Sequence, residues 1–143
     1  MFSQTVDYAL RAMVFLAMNP GNRTNEEISQ VAKVPGPYLA KIMKELVDAG
    51  LLISHRGVHG GFALARPGAQ ITVFEIVSAV EPLKRIDYCP LGIASHGKTL
   101  CSMHYKMDQA LEVMENTLKN STLEDLLTNP TPSIPLCPSK SCD

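Results

Sequence analysis

The sequence predicts a mainly α fold with a small β-hairpin wing: a winged helix-turn-helix followed by a long C-terminal dimerisation helix. Three observations predict it. In residues 36–66, GPYLAKIMKELVDAGLLISHRGVHGGFALAR, a helical apolar stripe, a helix-stopping glycine and a glycine-tipped hairpin follow one another directly. Three capping boxes, Thr24 to Glu27, Thr72 to Glu75 and Ser121 to Glu124, mark further helix starts. In such a box the hydroxyl and the carboxylate satisfy each other's free backbone amides. Lastly, Met107, Ala110, Leu111, Met114 and Leu118 form another apolar stripe at helical spacing.

In chain order, residues 3–18 read as a first helix, with Val6, Leu10, Met13, Val14 and Ala17 on one side and Phe15 and Leu16 widening the buried arc. Asn19-Pro20-Gly21 stops it. The box at Thr24 starts a second helix whose Ile28, Val31 and Ala32 should face inward. Val34-Pro35-Gly36 is the turn into the third, where Leu39, Ile42, Met43, Leu46 and Val47 repeat at i, i+3, i+4, i+7 and i+8. Gly50 sits where a left-handed C-terminal cap is expected. Strand-like alternation then runs from Leu51 through Ile53 and His55, Gly57, Gly60 and Gly61 supply the turn, and Phe62, Ala63 and Leu64 return. Short helices follow the boxes at Thr72 and Ser121, and a longer one covers about 102–120. The expected organisation is a winged helix-turn-helix over 1–81, a cysteine-containing sensor loop over 82–103, the dimerisation helix and a short helix over 104–128, and a flexible tail over 129–143.

At 143 residues and 45% hydrophobic, the chain suffices for one core and one added element. The formal net charge of −1 says nothing of nucleic acid, so its distribution has to be read. Residues 1–66 hold seven basic and five acidic side chains, leaving that part at +2 and the remainder at −3. The sign suits an N-terminal DNA-binding half. The apolar run Ala12 to Met18 is too short to span a bilayer and no signal-peptide pattern precedes it, so a cytoplasmic protein is expected. In that compartment cysteines serve as metal ligands or redox thiols more often than as disulfides. Paired carboxylates, a nucleophile elbow and a phosphate loop are all missing from the sequence, which argues against an enzyme.

Opposite the apolar stripe of the third helix lie Pro37, Ala40, Lys41, Lys44 and Asp48, a face able to enter a major groove. Tyr38, Lys41 and Lys44 are the expected contacts on double-stranded DNA, with Arg56 and His59 of the hairpin tip reaching phosphates or the minor groove. An isolated arginine on a hairpin more often only keeps it soluble; beside this helix the DNA role is preferred. A helix as long as 102–120 needs a partner surface, either the first helix of its own chain or its copy in a homodimer. Pairing would add the second half-site that a single winged helix lacks. A winged helix used for protein contact, with structural zinc, is the rival from another class.

Cys89 and Cys101 are separated by eleven intervening residues, and His104 follows Cys101 on the same side of a helix start. Thiolates with an imidazole suit an iron–sulfur cluster or zinc. A reversible thiol pair without metal is a further option, and zinc could be completed by Cys137 or Cys142.

TVDYALRAMVFLA at the start, NEEISQVAKVPGPYLAKIMKELVDAGLL in the middle and RGVHGGFALAR in the hairpin together resemble the IscR/NsrR-type winged-helix transcription regulators, over about residues 1–128. The resemblance implies a homodimeric repressor or activator, often with one iron–sulfur cluster per subunit in the loop before the dimerisation helix. Cluster-bearing members have three equally spaced cysteines there; here Cys89 and Cys101 match the first and third, and Ser95 stands at the middle position. His104 matches a histidine ligand of some members, and Asp7 an acidic residue of the first helix that in some relatives reaches over from the partner subunit. Cys89, Cys101, His104 and Asp7 would thus hold a two-iron cluster of mixed ligation. An acidic residue near a helix start also needs no metal to be favoured there. The order of preference is cluster, thiol switch, zinc.

Overall fold

The computed structural model describes residues 2–96, 99–128, 131, 133, 135 and 136. Its helices are α1 (Gln4–Met18), α2 (Asn25–Ala32), α3 (Gly36–Asp48), α4 (Val73–Val80), α5 (Ser102–Lys119) and α6 (Asp125–Thr128). Two strands, β1 (Leu52–His55) and β2 (Gly61–Leu64), form an antiparallel hairpin between α3 and α4, with Leu52 opposite Leu64 and His55 opposite Gly61.

The helix boundaries follow from their caps. Ser3 accepts the Val6 amide at the start of α1, and Thr24 and Thr72 close capping boxes with Glu27 and Glu75. The end of α3 is a Schellman turn: Leu51 N–H donates to the Leu46 carbonyl, Gly50 N–H donates to Val47, and Gly50 has φ +74°. The box expected at Ser121 lies one residue later, because the Ser121 hydroxyl donates to the Thr117 carbonyl at the end of α5. Thr122 replaces it, its hydroxyl accepting the Asp125 amide and its own amide donating to the Asp125 carboxylate, which holds that carboxyl below its usual range.

The core is built by the stripes. Met13, Leu16, Ile28, Leu39, Ile42, Met43, Leu46, Leu51, Ile71, Ile76 and Leu123 are fully buried, each burial contributing about 1.5–3 kcal/mol. Leu10, Ala17 and Val47 pack at its edge. Val31 differs from expectation, being 44% exposed: Ile28 and Ala32 carry the buried line of the short α2, and Val31 falls on its uncovered flank. Helix α5 packs mainly on α4, and its stripe is covered only in part: Leu111, Met114 and Leu118 are half-buried, while Met107 is 51% exposed. In the tail, Pro135 and Leu136 line an apolar groove with Leu10, Val14 and Leu126. Cys137 and Cys142, the expected completion of a zinc site, lie outside the described residues.

Candidate nucleic-acid interface and cysteine–histidine segment

Because the stripe of α3 is sunk in the core, the opposite face is presented to solvent. Lys41 and Lys44 stand out from it, with side chains 74% and 75% exposed. Lys41 Nζ lies 4.0 Å from Glu45 and Lys44 Nζ 2.5 Å from Asp48. The hydrogen bond to Asp48 holds the Lys44 ammonium pKa above the ordinary lysine value. Exposed pairs of this kind are weak and salt-screened, so a phosphate can compete for either ammonium. Tyr38 is placed differently. Its hydroxyl is hydrogen-bonded to Thr5 and its ring meets Tyr8 edge-on, centroids 5.6 Å apart, so it anchors the start of α3 on α1 with its outer part still exposed.

Arg56 and His59 are exposed at the hairpin tip, with Val58 between them 99% exposed. The hairpin is fixed near its tip by residues that the sequence did not single out. Arg23 and Phe62 exchange backbone hydrogen bonds of 2.9 and 2.7 Å, and the Asn22 side-chain amide donates to the His59 carbonyl. Asn25, the first residue of α2, donates to the Gly36 carbonyl at the start of α3 and lines a cleft with His55, Gly57 and Gly60. The start of α3 and the turn end of the hairpin therefore flank one residue. Asn22 and Arg23 lie beside a breaker and a capping box, a local signal that gives no hint of their hairpin partner.

The stretch 82–103 is pinned to α5 before its first cysteine. Both guanidinium arms of Arg85 engage Asp108, at 2.7 and 2.6 Å, with Glu112 and Glu115 at 3.5 and 3.9 Å. The Arg85 hydrogen bonds and the Ile86 amide hold the Asp108 carboxyl down at about 2. Cys89 is buried with Sγ 3.7 Å from His96 Nδ1, and Cys101, N-cap of α5, has Sγ 3.4 Å from Nδ1 of the buried His104.

Two cysteine–histidine pairs thus stand where one nest was expected. Cys101 and His104 are brought together, and Cys89 finds His96, a residue the sequence reading passed over. Asp7 joins neither pair: its carboxylate is 2.5 Å from Arg11, four residues along the same helix, where an exposed partner is always within reach. Among the described residues no three His, Cys, Asp or Glu side chains gather around a single ion. A three-thiolate site does not fit this chain, since Ser95 is an exposed hydroxyl on the short 3-10 turn Ala94–His96. The donor chemistry of the pairs, soft sulfur with imidazole nitrogen, does fit iron or zinc.

No helix among the described residues is long and apolar enough to cross a membrane. The chain is 34% identical over 130 residues to a protein of Aquifex aeolicus named as a candidate HTH-type transcriptional regulator, covering 88% of this chain and 90% of that one. In structure it is similar to IscR of T. potens, with a TM-score of 0.74 and 26% identity over 90% of this chain and 86% of the other. It is also similar to CymR, the global cysteine regulator of B. subtilis, with a TM-score of 0.74 and 23% identity over 92% and 98% of the two chains. The latter likeness carries the fold alone. The family model of Rrf2, described as an iron-dependent transcriptional regulator, matches residues 2–129. With nearly the whole chain matched and the lysines of α3 exposed to solvent, the protein belongs to the Rrf2 family of transcriptional regulators.

Proposed function

We propose that the chain is a cytoplasmic, homodimeric repressor that binds a partly palindromic DNA site through two copies of α3 and reads a redox or iron signal in the 82–103 segment. The carrying observation is the exposed basic face of α3 beside an anchored wing. Lys41 and Lys44 contact bases or phosphates in the major groove, Tyr38 lies over the backbone at the helix start, and Arg56 and His59 work from the wing. Affinity for the protein's own promoter region, measured at two salt concentrations, tests this. Replacing Lys41 and Arg56 together by alanine should flatten the salt slope by about two ions, roughly one for each lost phosphate contact. Undiminished binding by that double variant would remove this surface.

Cys89, Cys101 and His104 are the proposed holders of an iron–sulfur cluster in this segment, with Asp7 the fourth donor that the family resemblance offers. When bound, such a cluster supplies an oxidisable, oxidant-labile centre whose state differs between signal and rest. The protein's part is to anchor that centre on α5 and thereby on the partner subunit. Anaerobically purified protein should be coloured and contain iron, and Cys89→Ala and Cys101→Ala should be pale. A second reading, a thiol switch without metal, is favoured by one observation: each thiol rests against an imidazole nitrogen, at 3.7 and 3.4 Å. An iron-free wild type whose DNA affinity falls with oxidant would select it.

A further inference from the structure

The wing is short, and what holds its outer end comes from elsewhere in the chain. Only Leu52–His55 and Gly61–Leu64 pair in it, and a two-stranded ribbon of that size is marginal when left to itself. Beyond the ladder the Gly60 amide closes the turn by donating to the Gly57 carbonyl at 2.9 Å, and Gly57 and Gly61 have φ +106° and +153°. A turn hung between glycines is free to swing. The connector 19–25, between α1 and α2, restrains it. Arg23 pairs antiparallel with Phe62, and the Asn22 side-chain amide donates to the His59 carbonyl. Among the described residues, no other side chain hydrogen-bonds the turn 57–60.

The connector is itself stiff. The Asn19 side-chain amide donates to the Phe15 carbonyl at the end of α1, at 2.9 Å, and the Arg23 guanidinium donates to the Asn19 and Pro20 carbonyls, at 3.3 Å each. At the other end Asn25 reaches the Gly36 carbonyl, 3.4 Å away at the start of α3. One short stretch thus touches both the wing tip and the first residue of the helix that carries Lys41 and Lys44.

We infer that this connector is a bracket fixing the wing relative to α3, and that Asn22 is the positioning residue that holds the turn bearing Arg56 and His59 for its contact with DNA. This rests on the DNA reading above. Asn22 and His59 are exposed, so the bond between them, exchanged for one to water when it opens, adds little to stability. What it supplies is order. A turn already immobilised has less freedom to lose when a phosphate or groove edge captures Arg56, so Asn22 acts without touching DNA itself.

The experiment measures the affinity of the full-length protein for a duplex of its own promoter region, in a double-mutant cycle of Asn22→Ala with Arg56→Ala and a second cycle with Lys41→Ala. Asn22→Ala should weaken binding about fivefold alone and about fivefold beside Lys41→Ala, but less than about twofold once Arg56 is alanine. Heteronuclear NMR relaxation should find the amides of 57–60 more mobile in Asn22→Ala, with thermal unfolding nearly unchanged. Unaltered affinity in Asn22→Ala overturns the inference. So does an undiminished loss in the Arg56→Ala background, which would make Asn22 a DNA contact in its own right, and so does equal coupling to Lys41, which would make its effect a general one on the fold. Should Asn22→Ala unfold, Asn22→Ser, one atom too short to reach the carbonyl, carries the same cycles. A wild type that does not bind the duplex sinks the DNA reading itself, whereas a wild type that binds no better than Asn22→Ala sinks only the bracket.

Discussion

A β-carbon on residue 61 would lie 2.3 Å from the Arg23 carbonyl oxygen, in a backbone with φ +153°. Gly61→Ala should therefore destabilise the fold by about 2 kcal/mol or more, through strain and displacement of the Arg23–Phe62 pairing. Thermal unfolding beside Gly57→Ala, which meets open space at φ +106°, should show the larger loss at 61. That glycines would be needed here was legible in the sequence as a turn signal. Why residue 61 is the demanding one was not, because the obstructing carbonyl lies 38 residues earlier and only tertiary packing brings it near. The same limit hid His96: nothing in its spacing separates it from other loop histidines until two reversals of the chain set it on Cys89. Ser95 and Asp7 came from a family pattern, and the pattern was silent on how this chain departs from it.

At the scale of elements, local chemistry was the more reliable guide. Helix α3 was readable end to end, since its stripe, its early proline and its glycine stop all act within a turn of where they stand. The start of α6 was misplaced by one residue because Ser121 and Thr122 compete for the role and the end of α5 takes the serine. Thr122→Ala should cost about 1 kcal/mol in unfolding free energy and Ser121→Ala less; the reverse order would restore the original placement. The Arg85 clamp on α5 makes a pH prediction. The Asp108 carboxyl sits at about 2 in the fold against an ordinary 3.8, so its contribution is in place above that ordinary value and fades as pH falls towards 2. Carboxylate titration by NMR should find the Asp108 midpoint near 2 and see it rise in Arg85→Ala, the Ile86 amide alone holding it less firmly. A midpoint unmoved in that variant would mean the ion pair is not formed in solution.

For the whole molecule, the proposed function requires a path from 82–103 to α3. Two routes leave the root of that segment: Glu81 accepts a hydrogen bond from Ser3 at the cap of α1, and Arg85 grips α5. Helix α1 reaches the start of α3 through Thr5 and Tyr8, both in contact with Tyr38. Helix α5 has Met103, Met107 and Val113 more than half exposed, at 59%, 51% and 67%, an apolar surface its own chain leaves largely bare. Its polar positions, Asp108, Glu112 and Glu115, are turned to Arg85, so the two faces have separate tasks. If a second copy covers the bare face, then Met107→Glu should convert the protein to a monomer in sedimentation at micromolar concentration while leaving its circular dichroism unchanged. DNA affinity should then drop by about 10²-fold or more, since two linked half-sites bind with an effective concentration that one does not have. A Met107→Glu protein that remains dimeric and binds DNA normally would place the subunit contact elsewhere, and with it the means by which the cysteine–histidine pairs could set the angle between two recognition helices.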